Sequence, residues 1–124
     1  RQEWGAPNMA ASLHVDAGTY AQFLIAVSKG LGLSQATLAE MMRPQTKIPD
    51  EPMSFGLGFA LEESPHGLLF GHGGNNNGFT SNSAFDPDAQ TGYVMLVNSD
   101  QANDFRLALH QYLLTGKTEP NTTE

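Results

Sequence analysis

Phe70-Gly71-His72-Gly73-Gly74-Asn75-Asn76-Asn77-Gly78-Phe79 decides how this 124-residue chain is read. Four glycines and three asparagines surround one histidine between two apolar runs with strand character, Gly67 to His72 and Thr80 to Asp86. Glycine weakens a strand interior and leaves nothing to pack, so it is found where a second backbone or a ligand comes close. Asn-Gly is also a strong hairpin-turn signal and Gly-Gly breaks strands, so a plain loop remains the alternative. His72 favours the site reading, because it puts a titratable group at the strand end beside amides that no side chain shields.

Working outward, Thr91 to Asn98 supplies a further strand. Its run Tyr93-Val94-Met95-Leu96-Val97 is continuously apolar, which predicts cover on both faces, at least partly by helices. Asp86-Pro87-Asp88 carries the residues a connecting turn needs. Upstream, Phe55, Leu57, Phe59 and Leu61 alternate with small or acidic residues, a period of two that predicts one strand. Between Gln45 and Pro52, prolines and charges predict a surface connection.

Three helices are expected. Asp16 caps the first, with Tyr20, Phe23, Leu24, Val27 and Leu31 as its apolar stripe and Gly30 and Gly32 as stop signals. Ser34 caps a second, with Leu38, Met41 and Met42 inward and Pro44 ending it after Arg43. Asp100 caps a third, with Phe105, Leu109, Tyr112 and Leu113 on one face and Gly116 after its end. Residues 1 to 15 read as an irregular lead-in, with Trp4 as an anchor. The fold class is α+β: an antiparallel sheet of three to four strands with helices packed on it.

Composition narrows the function. The chain has the size of one domain, 40% hydrophobic and 15% charged residues, and no run of 18 apolar residues to cross a membrane. Thirteen acidic and six basic residues give a formal charge of −7 without a basic stripe, which argues against a nucleic-acid partner. Zero cysteines exclude disulfides, thiolate metal ligands and a thiol nucleophile. Arg1 follows no initiator methionine or signal-like segment, so the chain reads as a mature or trimmed product. The triplet Asn121-Thr122-Thr123 sits in a polar tail and is discounted as a glycan site.

Nucleotide motifs fail on their spacing. Gly-x-Gly-x-x-Gly from Gly71 would need glycine where Asn76 stands, and a phosphate loop from Gly73 reaches Gly78 but continues Phe79-Thr80 without lysine. His66 and His72 lie too far apart for a His-Glu-x-x-His pair, so no metal and no other cofactor is expected. His14, His66 and His110 read as surface or cap residues.

Segments Ala10 to Leu24, Met41-Met42-Arg43-Pro44-Gln45-Thr46, Phe55-Gly56-Leu57-Gly58-Phe59, Gly71 to Phe79, Phe85-Asp86-Pro87 and Val97-Asn98-Ser99-Asp100 occur in an order that resembles the C-terminal part of the penicillin-recognising serine hydrolases. The similarity, over roughly residues 10 to 113, is to the branch with class C β-lactamases, DD-carboxypeptidases, D-aminopeptidases and related esterases. Such families use Ser-x-x-Lys for the nucleophile, Tyr-x-Asn or Tyr-x-Ser for proton transfer, and Lys-Thr-Gly or His-x-Gly on a strand facing the nucleophile. Only the third motif is matched. Lys29, Lys47 and Lys117 lack a serine three residues earlier, and Tyr20, Tyr93 and Tyr112 lack Asn or Ser two residues later.

The resemblance implies a single C-terminal fragment of such a domain over 1–124, helical over 10–44 and sheet plus C-terminal helix over 53–116. It implies a serine hydrolase of acyl, amide or ester bonds acting through an acyl-enzyme, whose nucleophile lies upstream and whose isolated C-terminal chain is inactive. His72 orients substrate or the tyrosine, and the Asn75 N–H is one donor to the oxyanion. Gly73 and Gly74 let substrate pair with the strand, and Asn76 and Asn77 contact it at the rim, turn residues otherwise. The implied partners are a small or peptide-like acyl substrate, the N-terminal part of the same polypeptide, and further copies meeting at the edge of the Thr91–Asn98 strand. An extracytoplasmic bacterial location is implied as well. Histidine for lysine and Gly73 for the hydroxyl residue depart from the lactamase pattern, so D-peptidase or esterase activity is at least as compatible as β-lactam hydrolysis. A non-catalytic ligand-binding or sensory module of the same fold is the alternative.

Overall fold

The computed structural model describes residues 6–116, so Trp4 and the triplet at Asn121 lie outside the described residues. Helix α1, Ala17–Ser28, begins where expected: Asp16 is extended and accepts the Thr19 N–H at 2.9 Å and the Thr19 hydroxyl at 2.7 Å. That satisfies an amide the first helical turn would leave without a partner. Leu24 and Val27 are buried and Tyr20 packs beside them, but Phe23 and Leu31, part of the same stripe, stay exposed. Ser34 caps α2, Gln35–Met41, by accepting the Thr37 N–H. This helix stops at Met41, two residues short of Arg43, and directs Leu38, Met41 and Met42 at the core.

Seven strands follow: β1 Thr46–Lys47, β2 Met53–Phe55, β3 Ala60–Ser64, β4 Gly67–Gly71, β5 Gly73–Asn76, β6 Phe79–Asp86 and β7 Thr91–Val97. All pairings are antiparallel, in the order β1-β2-β3-β4-β6-β5, with β7 on the other side of β6. The sheet is of the expected type but more finely divided than three to four strands. The alternation from Phe55 to Leu61 is one reason, because it does not form a single strand. Gly56-Leu57-Gly58-Phe59 is a tight turn in which the Gly56 N–H reaches the Phe59 carbonyl at 2.9 Å and the Leu57 N–H reaches the Met41 carbonyl at 3.0 Å. Gly58 takes φ +86°, a left-handed conformation that β-carbons resist. The turn returns Phe59 to the core and leaves Phe55 and Leu57 outside.

Phe59, Leu61, Phe70 and Phe85 form the core with Leu24 and Val27. Phe59 and Phe70 meet edge to face at 5.1 Å, and Phe70 and Phe85 at 5.7 Å. Phe70 and Phe85 are opposed across the ladder, so one face of the sheet is closed by α1. The opposite face meets α3, Asn103–Thr115, which ends at a left-handed Gly116 as expected.

Two expectations for α3 fail. Asp100 does not cap it: the N-cap is Ala102, without a side-chain bond, and the Asp100 carboxylate instead accepts the Gly78 N–H at 3.2 Å. That bond, then one from Gln101, holds its pKa below the usual carboxylate value. Most of the expected apolar face is also turned away, with Phe105 58% exposed and Tyr112 and Leu113 exposed too, while Leu109 is half-buried. The helix meets the sheet through His110, which bonds to Tyr93 of β7 at 2.6 Å and to Glu62 of β3 at 2.8 Å, and through Leu114, which lines a groove with the buried Leu69 and Ala84. His110 is therefore a part-buried bridging group, not a surface or cap residue; His14 and His66 are exposed.

The β7 run is covered unequally. Met95 is buried and Val94 packs against the core, but Leu96 is 46% exposed. Among the described residues no strand pairs with the outer edge of β7.

Candidate functional site

β4 and β5 are two parts of one hairpin arm. Phe70 faces Phe85, and Gly73, Gly74, Asn75 and Asn76 face Asn82, Ser81, Thr80 and Phe79, all in one register. Asn77-Gly78 closes the hairpin; Gly78 has φ +83° and Asn77 keeps a negative φ, the requirement at the third position of a type II turn. The glycine-asparagine stretch is thus both things the sequence allowed, a strand over 73–76 and a turn at 77–78. Asn77 is a turn residue and Asn76 a strand residue.

Between the two parts the ladder is interrupted at His72. The Ser83 N–H donates normally to the His72 carbonyl at 3.0 Å, but the His72 N–H goes to the buried Ser83 hydroxyl at 3.1 Å instead of the Ser83 carbonyl. That hydroxyl also donates to the His72 carbonyl at 3.0 Å. One side chain therefore holds both backbone groups of His72. The displaced Ser83 carbonyl lies over Gly71, where an added β-carbon would be 2.0 Å from its oxygen.

The neighbour strand decides what is accessible. β3 pairs with β4 only as far as Ala60 opposite Gly71, so β5 is hydrogen-bonded on one side alone. In an antiparallel ladder successive residues direct their N–H and C=O groups to opposite sides. With His72 bonded to Ser83, Gly74 and Asn76 also face β6, and Gly73 and Asn75 turn their backbone groups to the open edge. The residues from His72 to Asn77 are all exposed.

The His72 imidazole is oriented by its own chain. Its Nδ1 lies 2.6 Å from the Gly73 carbonyl oxygen, which can only accept, so Nδ1 carries the proton and Nε2 is left as the free ring nitrogen. An open groove of about 210 Å³ runs beside the strand, lined by Gly73, Gly74, Asn75, Thr80, Ser81, Asn103 and Arg106. Asn103 and Arg106 were not legible as site residues. They are far from Gly73 in sequence and reach it only because α3 crosses that face; the Arg106 Nε and Nη2 are held by the Asn103 Oδ1 at 3.1 and 2.8 Å. Among the described residues no cluster of three metal-ligating side chains occurs, and no helix is long and apolar enough to cross a membrane.

Known proteins share the fold. The Beta-lactamase family model matches residues 1–117. A D-stereospecific amidohydrolase from Streptomyces sp. superposes with a TM-score of 0.68 at 24% identity, over 78% of this chain and 29% of that one. A penicillin binding protein from Bacillus halodurans gives 0.67 at 20% identity, over 77% and 30%. A D-amino acid amidase from Ochrobactrum anthropi SV3, solved with D-phenylalanine, gives 0.54 at 28% identity, over 67% and 29%. The chain thus spans less than a third of the length of these proteins. No curated protein matches it.

Proposed function

Because the chain belongs to the β-lactamase family, we propose that it is the C-terminal portion of a serine hydrolase that cleaves amide or ester bonds through an acyl-enzyme. The observation that carries this is the open edge of β5, with the outward groups of Gly73 and Asn75 beside an oriented His72. An extended acyl substrate adds to that edge as a strand, and the two glycines let it approach. The nucleophilic hydroxyl comes from a Ser-x-x-Lys segment upstream, attacks the carbonyl and expels the amine or alcohol; water then releases the acid. During both steps the Asn75 N–H stabilises the tetrahedral oxyanion, a contribution of about 100- to 1000-fold in rate for one such donor. His72 Nε2 faces substrate or the proton-transfer tyrosine, and Asn76 and Asn77 contact the rim.

D-amino acid amides and esters are at least as compatible with the site as β-lactams. Gly73 has no hydroxyl for a lactam carboxylate. The upstream part completes the sheet at the free edge of β7, and without it copies associate there. An extracytoplasmic location accords with the family.

The test pairs the 124-residue chain with the product of the longer reading frame, both incubated with a chromogenic cephalosporin, a p-nitrophenyl ester and a D-phenylalanine anilide. Only the longer product should turn over, and a serine-to-alanine change in its Ser-x-x-Lys should abolish the activity. Serine-dependent turnover by the short chain refutes the division of labour. A reading frame without Ser-x-x-Lys favours a non-catalytic binding module instead.

A further inference from the structure

We propose that His110 is a positioning residue, which through Tyr93 and Asn82 braces β5 from the face opposite the core. Four side chains from four elements form one chain: Glu62 Oε2 to His110 Nε2 at 2.8 Å, His110 Nδ1 to the Tyr93 hydroxyl at 2.6 Å, and that hydroxyl to Asn82 Nδ2 at 2.6 Å. The direction of every bond follows from the ends. A carboxylate at Glu62 only accepts, so Nε2 donates, and in the singly protonated ring Nδ1 accepts. The Tyr93 hydroxyl then donates to His110 and can only accept from Asn82. Asn82 is thereby forced to present Nδ2 to Tyr93 and Oδ1 to the strand opposite.

That oxygen rests on Gly73, its register partner, where an added β-carbon would be 3.0 Å away. The chain of bonds begins on β3 and α3 and ends against the first residue of the open-edged strand. Burial drives the Tyr93 phenol up to about 12, so it remains a neutral donor at any ordinary pH; Glu62 and Arg106 are the charges that act on it, in opposite directions. Nothing in the acyl-transfer steps uses these four residues. Their bonds leave none of their buried polar atoms without a partner, so the network is closed on itself.

The bracing concerns the strand that the reading above assigns to substrate, but its test uses no substrate, so the two fail separately. Tyr93→Phe deletes one hydroxyl in the full chain, and amide hydrogen exchange is then followed residue by residue. Exchange should accelerate roughly 2- to 10-fold at Gly74, Asn76 and Ser81, whose N–H groups lie in the β5–β6 ladder, with β3–β4 amides unchanged. Unchanged rates at those three, or a uniform rise across the sheet, overturn the proposal. Should the variant not fold, the ring-nitrogen spectrum of the unsubstituted protein decides: an Nε2–H tautomer at His110 is required, and an Nδ1–H tautomer refutes the chain.

Discussion

Gly71→Ala should be among the most damaging single-methyl changes in this protein. Gly71 does not have a positive φ, so its glycine is required by space alone. A β-carbon there would lie 2.0 Å from the Ser83 carbonyl oxygen, 2.7 Å from its carbon and 3.0 Å from the Ala84 Cα. All three are backbone atoms of the adjacent strand, so no rotamer change relieves the clash and the β4–β6 pairing must open. Overpacking typically costs about 1–3 kcal/mol, and a rigid backbone neighbour sets this case at about 3 kcal/mol or more. For a domain of this size that lowers Tm by roughly 12 °C. Gly58→Ala is the control, since Gly58 has φ +86° and open space around the added carbon; it should cost only the left-handed penalty, about 1–2 kcal/mol. Urea denaturation with thermal melts of both variants measures the difference. A Gly71→Ala protein as stable as Gly58→Ala would refute the reasoning.

Ser83→Ala strips the His72 N–H of its buried acceptor and should cost about 1–3 kcal/mol in urea titrations, more than Ser81→Ala on the half-buried part of β6. Tyr93 should ionise near 12, so the difference in ultraviolet phenolate absorbance between the protein and Tyr93→Phe should rise there and not near 10. Since the folded value lies above the unfolded one, the associated stability is complete below pH 10 and disappears as pH rises towards 12. Glu40 is held down to about 2 by hydrogen bonds from Arg43 and then Gln45, so its contribution is present above the ordinary carboxylate value and is lost as pH falls through about 2. Arg43→Leu should return the Glu40 titration, followed by carboxyl-carbon NMR, towards 4.5, and an unmoved midpoint would contradict the pairing.

What the sequence makes legible depends on how local the cause is. Asp16 and Ser34 cap their helices because the amide each satisfies is three residues away. The Tyr93 to Val97 run declares a strand, and Gly116 a helix end, for equally local reasons. Asp100 misled because its position suits a cap, while its carboxylate is claimed by Gly78, 22 residues earlier and adjacent only after the hairpin forms. Phe105, Tyr112 and Leu113 misled likewise: apolar spacing does not show which turn of a helix meets the sheet, and α3 brings His110 to Tyr93 and Glu62 and Leu114 beside the buried Leu69 and Ala84. Phe55 to Leu61 kept its alternation through a turn, because Met41 bonds Leu57 from another element. The motif at His72 could be found from composition; Arg106, brought beside Gly73 by a crossing helix, could not.

The turn that Met41 ties down at Leu57 has a reach beyond its own residues. By ending one hairpin arm early, it leaves the longer neighbouring arm interior for half its length and shoreline for the rest. Length mismatch between adjacent arms thus leaves β5 with a row of backbone groups that no strand among the described residues answers. Moving that turn outward by a pair of residues would extend β3 along β5 and close the gap, while drawing it back would widen it.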